Sequence, residues 1–123
     1  MQNGHDRVVA IVDDDDAVRD SLRFLLEIAG FSVVAYSSAQ QFLSDAKPAE
    51  LRCLVVDQHM PDVTGLQLVT QLRALGTVLP VALITGSPSP DLVRRALEVG
   101  VSTVLEKPLA DDVLLDFVAG ARA

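Results

Sequence analysis

The sequence predicts a doubly wound α/β domain: five parallel strands in the order 2-1-3-4-5, with helices on both faces. Three observations lead there. Five short apolar runs recur along the chain, most of them without polar alternation, as in strands covered on both faces. Segments of helical period separate them, which makes successive strands parallel and joins them by helical crossovers. Chemically active residue types then gather directly after the first, third, fourth and fifth runs, whereas the second ends blandly in Ser37 and Ser38. Ligands of open α/β sheets bind beyond the carboxyl ends of the strands, where the strand order reverses. The order 2-1-3-4-5 makes the first and third strands neighbours at that point and sends the second to the edge.

The elements follow in turn. "VVAIV" (8–12) is the first strand. Val18, Leu22, Leu25, Leu26 and Ala29 then share one helical face, which Gly30 stops. "SVVAY" (32–36) is the second strand, followed by a short helix from about Ala39 to Ala46, before Pro48. "CLVV" (53–56) is the third, and Leu66, Val69 and Leu72 mark the helix after it, closed by Gly76. "VALI" (81–84) is the fourth. Ser89 can cap the next helix with Pro90 at its first position, turning Leu92, Val93, Ala96 and Leu97 inward until Gly100. "STVL" (102–105) is the fifth strand, and Val113, Leu114, Phe117 and Val118 give the last helix.

Bulk properties fit one domain. The 123 residues are half hydrophobic and only 4% aromatic, so the core should be aliphatic. A net charge of −7 argues against a nucleic-acid-binding surface in this domain, because phosphate contacts need clustered Lys and Arg. The single cysteine, Cys53, lies in an apolar run and reads as a buried structural thiol in a reducing compartment. "MQNGHDR" lacks the apolar stretch of a signal peptide, and no run approaches the roughly 18 apolar residues of a membrane span. The expectation is a soluble cytoplasmic chain, 1–123, forming a single domain.

The strand ends carry the chemistry. Asp13 and Asp14 follow the first strand, Asp57 the third, Thr85 the fourth, and Glu106, Lys107 and Pro108 the fifth. Adjacent strands lie about 4.8 Å apart, so Asp57 should stand beside the Asp13–Asp14 pair. Three carboxylates this close repel by about 4 kcal/mol per pair at 4 Å and an effective dielectric of 20. Either one takes up a proton or a cation sits among them. Mg²⁺ suits such a site, with oxygen ligands at about 2.1 Å. The rest of the aspartate run has a simpler role: Asp15 or Asp16 caps the first helix and complements its dipole. Thr85 adds a hydroxyl. Lys107 is one of only two lysines, beside eight arginines, and its stem can span most of the roughly 10 Å from two strands away. A carboxylate, a divalent cation, a hydroxyl and an ammonium make a phosphoryl site in which Asp57 attacks phosphorus. No base to activate water is evident, which favours a switch over an enzyme.

"IVDDDDAVRDSLRFLLEIAGF", "LVVDQHMPDVTGLQLVTQLR", "PVALITG" and "VLEKPL" resemble the receiver domain of two-component response regulators, in particular the FixJ-like branch, over residues 7 to about 119. The resemblance implies the flavodoxin/CheY-like (βα)5 fold. It also implies that Asp57 takes a phosphoryl group from a histidine kinase or phosphotransfer protein. Asp13, Asp14 and Asp57 would hold Mg²⁺ with the backbone carbonyl of His59. Thr85 would be the switch hydroxyl, Lys107 the residue pairing with the phosphoryl group, and Pro108 would follow a cis peptide bond. Pro61 and Gly65 match the loop after the acceptor. The imidazole of His59 either tunes hydrolysis beside the site or points into solvent. Receivers also commonly dimerise or dock through the fourth helix, fifth strand and fifth helix. Two departures concern transmission of the signal. Val104 stands where receivers usually carry Tyr or Phe, and "GSPSP" (86–90) replaces a Gly- and His-containing loop with one that Pro88 and Pro90 stiffen.

Two other functions compete. Val104 and "GSPSP" motivate a receiver-like binding module without a phosphorylation switch. "DDDAV" (14–18) fits the D-x-D-x-[TV] pattern of haloacid-dehalogenase-like phosphatases, with Asp14 as nucleophile and Asp16 as acid/base. That reading leaves Asp57 idle and lacks a second acidic pair after the fourth strand.

Overall fold

In the computed structural model, which describes residues 7–121, strands and helices alternate along the chain. They are β1 (Val8–Val12), α1 (Asp16–Ile28), β2 (Val33–Tyr36), α2 (Ala39–Asp45), β3 (Leu51–Asp57), α3 (Gly65–Ala74), β4 (Val81–Thr85), α4 (Pro90–Glu98), β5 (Thr103–Glu106) and α5 (Asp111–Gly120). The five strands form one parallel sheet in the order β2-β1-β3-β4-β5, as the sequence predicts.

Alternate residues of each central strand face opposite sides, and the apolar runs therefore feed two cores. Ala10, Val12, Leu54, Val56, Val81 and Leu83 pack under α2, α3 and α4 with Phe42, Val69 and Ala96. Val9, Ile11, Cys53, Val55 and Ile84 pack under α1 and α5 with Leu22, Leu26, Leu114 and Val118. A strand buried on both faces has no polar position to spare, which is why the runs do not alternate.

Local chemistry sets the helix boundaries. Asp15 caps α1 by accepting from the Val18 N–H at 3.0 Å, and Ser89 caps α4 by accepting from the Leu92 N–H at 3.1 Å. Ser38 does the same for α2. Thr64 and Gln67 exchange bonds as a capping box on α3. Each cap is worth about 1 kcal/mol. Past α1, Gly30 takes φ +98°, a conformation costly for a residue with a Cβ.

Three expected core positions are corrected. Ala29 lies beyond the end of α1 and is exposed. Leu97 and Val113 are 56% and 42% exposed. Each directly follows or precedes a buried residue of its helix, Ala96 or Leu114, and 100° of rotation per residue turns it off the buried stripe. β3 is longer than expected, because Arg52 sits in the strand and donates to the Val118 and Ala119 carbonyls of α5 at 2.8 and 3.0 Å. A 3-10 turn over Pro48–Glu50 leads into it. Among the described residues, no helix is long and apolar enough to cross a membrane.

Candidate functional site

Register delivers the site. Val12 pairs with Val56, so the next residues, Asp13 and Asp57, leave the sheet side by side. The Asp13 N–H donates to the Tyr36 carbonyl at 3.2 Å and the Gln58 N–H to the Ile84 carbonyl at 2.8 Å, so the hydrogen-bond ladder continues just past the strands. Asp13, Asp57 and Thr85 are the buried polar residues of the described chain, at 2%, 3% and 0% exposure.

Asp13, Asp14 and Asp57 each offer a carboxylate oxygen within 4.8 Å of the others. One oxygen of Asp13 accepts the Asp15 N–H at 2.9 Å. Its other oxygen, Oδ2, and Asp57 Oδ1 are buried without a hydrogen-bond partner. For Asp57 Oδ1 the neighbour is the Lys107 ammonium, an ion pair at 3.0 Å. Burial pushes the Asp13 carboxyl above its ordinary range, helped by Asp57 and Asp14 and opposed by the Asp15 N–H and Lys107. Lys107 is shifted upward as well: burial pulls it down, but Asp57 first, then Asp13 and Asp15, outweigh that. An unpartnered buried oxygen on Asp13, with Asp14 and Asp57 in the same acidic cluster, belongs to the donor set that a hard divalent cation prefers. The residues therefore fit Mg²⁺.

Thr85 is further along the same rim. Its hydroxyl oxygen accepts the Ser87 N–H at 3.1 Å and lies 3.3 Å from Nε2 of His59, whose residue is exposed. Behind the site, a Cβ on Gly65 would lie 2.6 Å from both the Asp57 carbonyl oxygen and Leu83 Cδ1, so only glycine fits. The Lys107–Pro108 bond is cis. Thus the predicted site residues Asp13, Asp14, Asp57 and Lys107 come together, with Thr85 and His59 adjoining them.

Sequence reasoning missed two supports. Arg19 donates to the Asp13 carbonyl at 2.6 Å while also pairing with Asp16, tying α1 to the acidic corner. Gln58 accepts the Leu66 N–H at 2.9 Å and thereby pins the β3–α3 loop. The spacing of Arg19, one turn into the helix that Asp15 caps, was an available signal. Nothing in the sequence marked Gln58.

Fold and site together define a CheY-like α/β domain with an acidic pocket at the reversal of strand order. The sequence model described as "Response regulator receiver domain" matches residues 9–119, and the chain belongs to that family, as the receiver domain of a two-component system response regulator. It is 40% identical over 115 residues to the transcriptional regulatory protein FixJ of Azorhizobium caulinodans, covering 94% of this chain and 53% of that protein. The chain spans about half the length of the curated relatives it matches. The crystal structure of FixJ-N superposes with a TM-score of 0.82 at 36% identity, over 97% of this chain and 93% of that one. The chemotaxis protein CheY4 of Vibrio cholerae superposes at 0.85 with 26% identity, over 94% and 98%. These likenesses identify a FixJ-like receiver domain.

Proposed function

We propose that this receiver takes a phosphoryl group onto Asp57 from a histidine kinase or phosphotransfer protein and thereby switches its contacts with partners. The observation that carries the proposal is the buried carboxylate of Asp57, flanked by two further acids and paired with a lysine ammonium at 3.0 Å.

An Asp57 carboxylate oxygen attacks phosphorus; the phosphorus–nitrogen bond of a donor phosphohistidine breaks, and the imidazole leaves with the bond's electron pair. Mg²⁺, when held by Asp13, Asp14, Asp57 and the His59 carbonyl, supplies neutralisation of the phosphoryl oxygens and of the crowded carboxylates. Lys107 takes an equatorial oxygen by its ammonium, and Thr85 offers its hydroxyl to another. The sheet fixes these groups at strand ends, where little reorganisation is needed. The acyl phosphate then persists as the signal until water hydrolyses it. Residues 1–123 then act as one cytoplasmic receiver domain, with no nucleic-acid contact of its own and homodimerisation as one available response.

The test is acetyl phosphate with Mg²⁺, read by intact mass. A phosphoryl adduct on the wild type that is lost in Asp57→Asn supports the proposal. Absence of any adduct favours the second reading, a receiver-like binding module without a phosphorylation switch, to which the aliphatic Val104 points. Steady hydrolysis of phosphate esters that depends on Asp14 but not Asp57 would instead indicate a phosphatase.

A further inference from the structure

We propose that the imidazole of His59 is a positioning residue that engages the Thr85 hydroxyl in a competing hydrogen bond, which must break before that hydroxyl can serve a group on Asp57. The inference rests on the phosphoacceptor reading above and concerns regulation of that same site.

The geometry comes from two neighbouring strands. Asp57 pairs with Ile84 in the sheet, so Thr85 emerges one residue past that pairing and His59 two residues past Asp57. The two side chains meet at 3.3 Å between Nε2 and Oγ1. The hydroxyl has one proton and two lone pairs to spend. One lone pair is taken by the Ser87 N–H at 3.1 Å. In one imidazole tautomer the remaining interaction consumes the threonine proton, the only one this hydroxyl can offer a phosphoryl oxygen. In the other, Nε2–H donates to the second lone pair and fixes the oxygen between two donors. In both, any shift of Oγ1 away from Nε2 lengthens the 3.3 Å contact with His59.

Exposure decides which partner moves. Thr85 is fully buried and is confined to reorienting in place, whereas His59 is exposed and can swing into solvent at little cost. The imidazole thus sets a threshold for engaging the hydroxyl rather than contributing to bond making. Its backbone carbonyl, the atom assigned to the cation, is unaffected by side-chain substitution.

The experiment measures beryllofluoride affinity with Mg²⁺ by fluorine NMR for the wild type, His59→Ala, His59→Gln, Thr85→Ala and the double variant His59→Ala/Thr85→Ala. Losing the tether should tighten binding in His59→Ala roughly two- to tenfold, the worth of one neutral hydrogen bond. His59→Gln, which keeps a polar nitrogen near the Nε2 position, should stay close to wild type. The gain should vanish when Thr85→Ala is already present, because the two residues then have nothing to share. No gain in His59→Ala, or a gain undiminished in the Thr85→Ala background, overturns the proposal. A wild type that takes up no beryllofluoride overturns the phosphoacceptor reading itself, and the tether with it.

Discussion

Lys107 and Asp57 meet at 3.0 Å although β4 lies between β3, which ends in Asp57, and β5, which Lys107 directly follows. The ammonium spans the sheet's rim to reach a carboxylate that is almost completely buried. Lys107→Met leaves that carboxylate without its nearest cation. Because the lysine side chain is 37% exposed, the cost falls well below the 3–5 kcal/mol of breaking a fully buried pair. We expect a loss of about 1 kcal/mol in urea unfolding without Mg²⁺, and an unchanged midpoint would argue that the pair is idle.

Asp13→Asn should act in the opposite direction. Burial, Asp57 and Asp14 hold the Asp13 carboxyl above its ordinary value, so ionising it weakens the fold. That penalty grows as pH rises from 3.8 through the folded-state value and is fully present at higher pH. The asparagine oxygen still accepts the Asp15 N–H. In metal-free buffer at neutral pH we expect a gain of about 1–2 kcal/mol, the scale of an incompletely compensated buried polar group. Mg²⁺ should stabilise the wild type and leave the variant unchanged. Thermal melts with and without the ion read both effects.

Gly65→Ala places a methyl 2.6 Å from the Asp57 carbonyl oxygen and Leu83 Cδ1. Backbone cannot give way cheaply, so the strand end carrying Asp57 must shift. We expect about 1–3 kcal/mol of destabilisation, as in overpacked cores, together with slower labelling by acetyl phosphate. Normal labelling at reduced stability would mean that the strain is absorbed on the Leu83 side alone.

Cys53 is pushed up to about 12 by burial, against a smaller opposing effect of Arg52. In the native protein it should resist a thiol reagent at pH 8 and react fully in denaturant. The sign of its linkage is fixed. The folded state keeps the proton that the unfolded chain loses above 9.0, so this group's contribution to stability declines between pH 9.0 and about 12. Relative to Cys53→Ala, the wild type should lose stability across that window in chemical unfolding.

The sequence revealed the strands well because a doubly covered strand has no polar positions, and β1 begins and ends where its apolar run does. Caps were legible where one residue type does one job, as with Ser89 before Pro90. The acidic pocket was legible because its members directly follow strands whose order the helical crossovers dictate. What stayed hidden depends on contacts between distant segments. Arg73 donates to the Thr77, Leu79, Val99 and Gly100 carbonyls, joining the loops before β4 and β5, yet in sequence it is one more polar residue on a helix. The His59–Thr85 contact spans 26 residues and depends on the ends of β3 and β4 lying side by side. Arg52 hid the start of β3 because a charge inside a strand looks like its boundary until the carbonyls of α5 are placed beside it.

The register between β1 and β3 has a consequence for how such a domain tolerates change. Asp13 and Asp57 inherit their positions from interlocked backbone rather than from the connections that follow, so those connections can be exchanged or lengthened while the spacing between the acids is preserved. Recognition can diversify on the outer rim while the acidic pocket stays where the sheet puts it.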